Sequence, residues 1–209
     1  MDFLRKNKKV IFISGVVLLA VLLGLFIRSG SKRVKLTPPH PTASSILWET
    51  FEGTNPPFNF IFEYPGSWET KEIMFAGKFN MLQVLGPQDK VTKFIPGIYI
   101  KIKEFKGRDL PSKFSETLLQ REGKFKGFKK IHEGDILIAG MKGSRLCYQY
   151  VLPLPMRSMH TQDTVLRREE SLVENGGKSY QISLWMTEEQ YKIYKQVFDH
   201  ILETFKFLN

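Results

Sequence analysis

The sequence predicts an α+β domain, in which helices pack on an antiparallel β-sheet, preceded by one N-terminal transmembrane helix. Three observations lead to this prediction. An uncharged apolar run lies near the N-terminus, several later segments alternate apolar and polar residues around tight turns, and an amphipathic segment with a helix cap closes the chain. Because the predicted strands follow one another without βαβ alternation, a parallel nucleotide-binding sheet is not expected.

Residues 1–9 are expected to form a basic cytoplasmic tail, and residues 10–27, VIFISGVVLLAVLLGLFI, a transmembrane helix. As a helix, this uncharged run would span about 27 Å at ~1.5 Å per residue, close to the ~30 Å hydrocarbon core of a bilayer. The apolar part of a cleaved signal peptide is usually shorter, at roughly 7–15 residues. We therefore expect a permanent single-pass anchor in the cell membrane.

The orientation of this anchor does not follow from the positive-inside rule, because four basic residues lie on each side of the apolar run. A short tail stays inside more readily than a long domain, and long domains are translocated largely regardless of their charge. The N-terminus is therefore expected in the cytoplasm and the C-terminal domain outside it. Residues 28–45, rich in Ser and Pro, predict an extended linker between the anchor and a domain at residues 46–209.

The strands of this domain are predicted from period-two alternation. Residues 58–64 and 98–105 alternate, and residues 135–140 pair with 144–152 around the sequence GMKG. Residues 166–173 and 178–186 flank Asn175-Gly176-Gly177, and Asn-Gly is a strong signal for a tight hairpin turn. Each strand has one apolar and one mixed face, which predicts an antiparallel sheet covered on one side.

The C-terminal helix is predicted from Thr187-Glu188-Glu189-Gln190, which has capping-box spacing. Apolar residues then recur at helical spacing as far as Phe205 and form one broad stripe. A stripe of this width is typical of a core-facing helix rather than of a cofactor site. A second helix is predicted near residues 112–122, where it would bury Phe114 and Leu118 and end at Gly123.

This arrangement resembles the PsbP-like superfamily over about residues 56–207. The features that match are the motif Tyr64-Pro65-x-x-Trp68, the strands 98–102 and 180–184, the turn and strand from Gly140 to Tyr148, and the closing ILETFKF. The superfamily includes the extrinsic photosystem subunit PsbP, related bacterial proteins and a set of Ran-binding import factors.

The resemblance implies a fold of antiparallel sheet with packed helices, and a binding or accessory role. No residue here matches a metal or photosystem site of the superfamily, so a photosynthetic role is not implied.

The aromatic residues of 58–64 are expected in the core rather than on a ligand-stacking platform. Phe58, Phe60 and Phe62 share one strand face, and the closing helix supplies a matching aromatic stripe. Trp68 is expected in the core as well.

No motif in the chain predicts catalysis, a cofactor or a metal site. GGKS at 176–179 lacks the first glycine of a phosphate loop and precedes a strand rather than a helix. Glu169 and Glu170 are adjacent in a predicted strand, so they should point to opposite faces and not cooperate. Cys147 is the only cysteine, which excludes an internal disulfide and every multi-cysteine metal site. A hydrolase with an unrecognised site stays open, because catalytic triads assemble from distant positions.

The net charge of +10 is concentrated in two segments. Residues 1–35 contain eight Lys/Arg and one Asp, residues 101–130 contain ten basic and four acidic residues, and the rest is slightly acidic. Within the second segment lies a candidate surface for an anionic partner, made of Lys101, Lys103, Lys106, Arg108, Lys124, Lys126, Lys129 and Lys130. Near a bilayer such a cluster attracts anionic lipid. A solvated face whose acidic partners come from elsewhere in the fold is the competing interpretation.

The sequence therefore predicts a non-catalytic binding or accessory domain, anchored by one transmembrane helix and displayed outside the cytoplasm. Its expected partner is a protein or an envelope component. Binding of anionic lipid or another polyanion through the Lys101–Lys130 stretch is an alternative, and nucleic acid is not the expected partner.

Overall fold

The computed structural model describes residues 46–53, 55–75, 79–104, 116, 118–120, 123–156 and 158–208. The predicted tail, transmembrane helix and linker all lie outside these residues. Among the described residues, no helix combines the length and the apolar character that a bilayer crossing requires.

The described chain is mostly β-sheet, with ten strands in two antiparallel sheets. The strands are β1 (Trp48–Glu52), β2 (Phe60–Pro65), β3 (Glu69–Phe75), β4 (Phe79–Leu85), β5 (Gly97–Glu104), β6 (Lys129–Ile138), β7 (Met141–Leu154), β8 (Gln162–Asn175), β9 (Lys178–Thr187) and β10 (Lys206–Phe207). The small sheet has the order β1-β2-β10, and the main sheet has the order β3-β4-β5-β9-β8-β7-β6. These sheets, with one long helix, confirm the prediction of an antiparallel α+β domain.

The small sheet is built around the aromatic face of β2. Phe58, Phe60 and Phe62 are almost completely buried, and the ring of Phe205 stacks on Phe60 with 5.0 Å between the ring centroids. Trp68, in the turn that follows β2, is also buried and packs edge-on against Tyr194 of the closing helix. Both core predictions are confirmed.

The closing helix, α1 (Glu188–Thr204), begins at the predicted capping box. The Thr187 side chain accepts a hydrogen bond from the Gln190 backbone N–H at 3.2 Å, and the Gln190 side chain accepts one from the Thr187 N–H at 3.1 Å. Its buried face includes Val197, Phe198 and Ile201. Of the second predicted helix, residues 116 and 118–120 are described; they are helical, and Leu118 is buried. Phe114 lies outside the described residues.

The main sheet has apolar clusters on both faces, whereas the alternation predicted cover on one side only. The inner face, which carries Ile98, Ile100 and Ile182, joins the core under α1. The outer face carries a second cluster made of Phe94, Leu118, Leu146, Tyr148, Tyr150, Leu154 and Leu166. The difference arises from β7 and β8, whose 14 residues each extend past the neighbouring strands and carry large side chains on the outer face as well.

Candidate interaction surface

The described members of the predicted basic set fall into two separate groups. Lys101 and Lys103 lie on β5, whereas Lys124, Lys126, Lys129 and Lys130 lie just before or at the start of β6. Strands β9, β8 and β7 lie between β5 and β6, which at ~4.8 Å per strand interval places the two groups at least about 19 Å apart. Lys106 and Arg108 lie outside the described residues, so the complete patch stays a prediction.

Some of these lysines already have partners within the fold. Lys126 forms an ion pair with Asp163, and Lys130 forms one with Glu133 at 2.8 Å. The Lys101 ammonium lies 3.9 Å from the centroid of the Phe79 ring, which is a cation–π contact. Within the described part of the chain, Lys124 and Lys129 form no ion pair.

Three chain segments meet at one end of the main sheet, and we call their described residues together the loop end: residues 86–96, 123–130, 155–156 and 158–163. The β4–β5 connection contributes Phe94 to the outer-face cluster, which also contains Tyr150 and Leu154 of β7. The Val151 N–H donates to the Lys126 carbonyl at 2.7 Å, and the Lys126–Asp163 ion pair links the second segment to the third. The loop end is therefore one continuous region.

The β4–β5 connection is organised by the side chain of Asp89. One carboxylate oxygen accepts hydrogen bonds from the Val91 N–H at 2.9 Å, the Thr92 N–H at 2.6 Å and the Thr92 hydroxyl at 2.8 Å. Burial alone would raise the pKa of Asp89, but the hydrogen bonds from Thr92 and Val91 outweigh it and hold that pKa below its ordinary value. The loop is thus preordered by its own residues.

The same loops carry exposed apolar side chains. Met159 is 97% exposed, Val91 is 74% exposed, and Ile95, Phe125 and Met156 are also exposed. They account for five of the ten large apolar side chains that are exposed in the described part of the chain. The Phe125 ring stacks on Tyr150 with 4.7 Å between centroids, so its position is set by the core beneath it.

A second feature, which sequence reasoning missed, is an arginine–glutamate network on the central strands. On the inner face, the Arg145 guanidinium donates to the Glu169 carboxylate, and so does the Tyr191 hydroxyl of α1. Beside this pair, Arg167 forms two hydrogen bonds of 3.0 Å with Glu188, in the first turn of α1. These contacts join the helix to β7 and β8.

On the outer face, Glu170 is fully buried and pairs with Arg168 at 2.6 Å. It also accepts hydrogen bonds from Ser183 and, at 2.9 Å, from Gln181. The two neighbouring glutamates therefore point to opposite faces, as the strand periodicity predicts. Each glutamate forms an ion pair with its own arginine. Two carboxylates that act together as acid and base would instead face one shared site.

Two groups in contact with the network, the Cys147 thiol and the Tyr191 hydroxyl, have raised pKa values. Burial, and then the charge of Glu169, raise the pKa of the Cys147 thiol, although Arg167 opposes the shift. Burial also raises the pKa of Tyr191, and its hydrogen bond to Glu169 adds to the effect. Both groups are thus held protonated at neutral pH, whereas a catalytic nucleophile needs a lowered pKa or an adjacent base.

The two sequence signals for the network were the arginines and glutamates of RREE at 167–170 and Arg145. Neither identified the partner of Glu169, because Arg145 lies 24 residues before it on a neighbouring strand. Among the described residues, no group of three or more His, Cys, Asp or Glu side chains is placed to hold a metal ion.

The sequence matches no protein-family model and no curated protein. Solved structures do match the fold. The cyanobacterial PsbP (CyanoP) of Synechocystis sp. PCC 6803 is 16% identical, with a TM-score of 0.52 over 77% of this chain and 92% of its own. LpqN of Mycobacterium tuberculosis, described as involved in cell envelope biogenesis, is 12% identical, with a TM-score of 0.53 over 82% of this chain and 100% of its own. The Ran-binding protein Mog1p of Saccharomyces cerevisiae is 10% identical, with a TM-score of 0.51 over 79% of this chain and 97% of its own.

These three proteins come from a cyanobacterium, a mycobacterium and a yeast, and at such low identity they share a fold with this chain rather than a set of site residues. The resemblance noted in Tyr64-Pro65-x-x-Trp68 and the closing helix is confirmed in three dimensions: the chain has the PsbP-like fold.

Proposed function

We propose that this protein is a membrane-anchored, non-catalytic binding or accessory domain that is displayed outside the cytoplasm and recognises a protein or an envelope component. The observation that carries the proposal is the PsbP-like fold itself. Among the proteins with this fold, Mog1p is described as Ran-binding and LpqN as involved in cell envelope biogenesis. Neither description names a reaction.

The arginine–glutamate network supports the non-catalytic part of the proposal. Its two buried acids, Glu169 and Glu170, are each paired with an arginine and accept further hydrogen bonds. Such fully paired charges hold strands and helix in one arrangement, which suits a rigid scaffold for recognition. The hydrolase alternative would need a group free to react, and the described network uses its titratable groups in contacts with one another.

The uncharged run 10–27 supports the anchor, and the linker 28–45 supports a domain that is tethered to it by an extended segment. A long domain after the run is translocated largely regardless of its charge, which is compatible with a domain outside the cytoplasm. The same membrane would then concentrate the domain beside its partner, which raises the effective concentration for binding.

Cross-linking in native membranes, followed by solubilisation of the full-length chain and identification of what co-purifies, tests the proposal. The matched control keeps residues 1–45 and replaces the remainder with an unrelated folded domain. We expect a partner in fixed stoichiometry that persists at moderate salt with the full chain and is absent from the control. Recovery of the chain alone, or of the same material from both, would contradict the proposal.

A further inference from the structure

We infer that the loop end is a membrane-docking surface, which lies against the anionic headgroups of the bilayer that anchors the chain. The inference rests on the proposed anchoring and goes beyond it by giving the domain an orientation. Residues 86–96, 123–130, 155–156 and 158–163 would face the lipid, and the rest of the domain would face the partner.

The first argument is the kind of apolar residue that the loop end presents. Val91, Met156 and Met159 project from connections between strands as single exposed side chains, rather than forming one flat apolar face. Apolar side chains of this kind insert a few ångströms into the boundary between headgroups and acyl chains. The Asp89 hydrogen bonds and the stacking of Phe125 on Tyr150 order two of these segments in advance, so little conformational entropy is lost on docking.

The loop end also differs from the rest of the domain in its net charge. The loop end contains six Lys and two Asp, whereas the remainder of residues 46–209 contains seventeen basic and eighteen acidic residues. The domain is therefore polarised, with its net positive charge at this end. Within the described residues, Lys124 and Lys129 have no acidic partner and are exposed, so their ammonium groups are available to lipid phosphates.

The third argument is where the chain enters the domain. The Gly66 N–H donates to the Leu47 carbonyl at 2.8 Å, which places the first described residues beside the turn between β2 and β3. That turn leads into Glu69, whose partner Leu85 ends β4 immediately before the loop end. The chain thus enters at the same end of the strands. A linker of 18 residues at ~3.1 Å per residue reaches at most about 56 Å, so it permits the loop end to meet the membrane.

An anionic bilayer fits these features better than a protein does. Protein interfaces are built around a contiguous packed core that is depleted of lysine. The loop end instead alternates separate apolar tips with lysines, as membrane-surface segments do.

The test uses the full-length chain in nanodiscs, with one environment-sensitive fluorophore on an introduced cysteine. Cys147 is 5% exposed and its pKa is raised, so the native thiol does not compete for the label. Met159→Cys places the label at the loop end, and Leu137→Cys is the matched control at an exposed position near the opposite end of the strands. Both substitutions are at exposed side chains, which keeps the fold intact.

The nanodiscs contain phosphatidylcholine alone or with phosphatidylglycerol. We expect blue-shifted emission and quenching by doxyl-labelled lipid at position 159 when phosphatidylglycerol is present, and neither effect at position 137. Lys124→Gln and Lys129→Gln should each lower the docked-to-undocked ratio about fivefold, and added salt should lower it further.

Equal emission at the two positions, or no response to phosphatidylglycerol, would overturn the inference. A shift at position 159 that requires a protein from native membranes, and is absent with lipid alone, would overturn it in favour of a protein surface. If the chain fails to enter nanodiscs at all, the proposed anchor is wrong. A chain that inserts but leaves its label in water would instead contradict only the docking inference.

Discussion

At the scale of single residues, the least expected feature is the pair of adjacent buried glutamates. Strand periodicity predicts that Glu169 and Glu170 point to opposite faces, but nothing in the local sequence predicts that both are buried. Burial of a carboxylate is costly unless a cation and further hydrogen bonds satisfy it. The cation for Glu169 comes from β7, whereas Arg168, the cation for Glu170, lies on β8 itself. The further hydrogen bonds come from β9 and α1, so only the folded topology supplies the complete set of partners.

Removal of one partner should therefore cost more than removal of both. Glu170→Leu removes the carboxylate that faces the partly buried charge of Arg168, and we expect the free energy of unfolding to fall by about 3–5 kcal/mol. The double variant Arg168→Met, Glu170→Leu should lose much less, because no buried charge remains. Urea titrations of the wild type, Arg168→Met, Glu170→Leu and the double variant measure the difference. A loss in the double variant equal to the sum of the two single losses would show that the pair is not coupled.

Cys147 should be unreactive in the folded protein. The thiolate is the form that attacks a disulfide reagent, and burial and Glu169 raise the pKa of this thiol. Between pH 7 and 9 the native chain should react slowly with such a reagent, and the denatured chain quickly. A Met159→Cys variant, whose thiol is exposed, serves as the positive control. Fast reaction of native Cys147 at pH 7 would reopen the alternative of a thiol-dependent hydrolase.

Asp89 should make the stability of its loop dependent on pH in the acid range. Because its folded pKa lies below the ordinary value of 3.8, its contribution is complete above that value and is lost as the pH falls through the folded pKa. Asp89→Ala removes the acceptor and should cost about 1–2 kcal/mol of unfolding free energy at pH 7. Asp89→Asn keeps an acceptor oxygen and should retain part of that stability without the acid dependence. Unfolding measured from pH 3 to 7 compares the three proteins.

At the scale of elements, the strands that could be predicted from the sequence are those whose apolar and polar residues alternate clearly. β2, β5, β7, β8, β9, α1 and the second half of β6 were anticipated, since their sequences show clear period-two or helical periodicity. β1 and β3 lie at the edges of their sheets and were missed because their sequences, WETFE and ETKEIMF, do not alternate apolar and polar residues. β4 was also missed. In the structure it lies between β3 and β5 and pairs with both, and these pairings cannot be read from its own sequence.

The capping box of α1 involves two residues that are close in sequence, so its removal should have a small effect on the unfolding free energy. Thr187→Ala removes the acceptor for the Gln190 N–H and should lower the unfolding free energy by about 1 kcal/mol, within a usual range of ~0.5–2. Thr187→Ser keeps the acceptor and should be close to the wild type. Thermal unfolding of the two variants separates these outcomes; a loss in both of equal size would assign the effect to packing of the buried Thr187 side chain instead.

At the scale of the whole molecule, fold class and family resemblance could be predicted, whereas the layout of the surface could not. The basic stretch is continuous in sequence, yet its described lysines divide between β5 and the start of β6 because β9, β8 and β7 lie between them. The loop end likewise combines three segments that are far apart in the chain. Local patterns predict elements, but the order in which strands pair decides which side chains meet.

The proposal that this PsbP-like domain is displayed on a membrane anchor is tested most directly by protease treatment of intact cells that express the full-length chain with a C-terminal tag. The account predicts that added protease cuts in the linker 28–45 and releases a tagged fragment of about the size of residues 46–209, while the membrane retains the N-terminal segment. A tag that stays protected until the cells are lysed, or a full-length chain found entirely in the aqueous fraction, would contradict it.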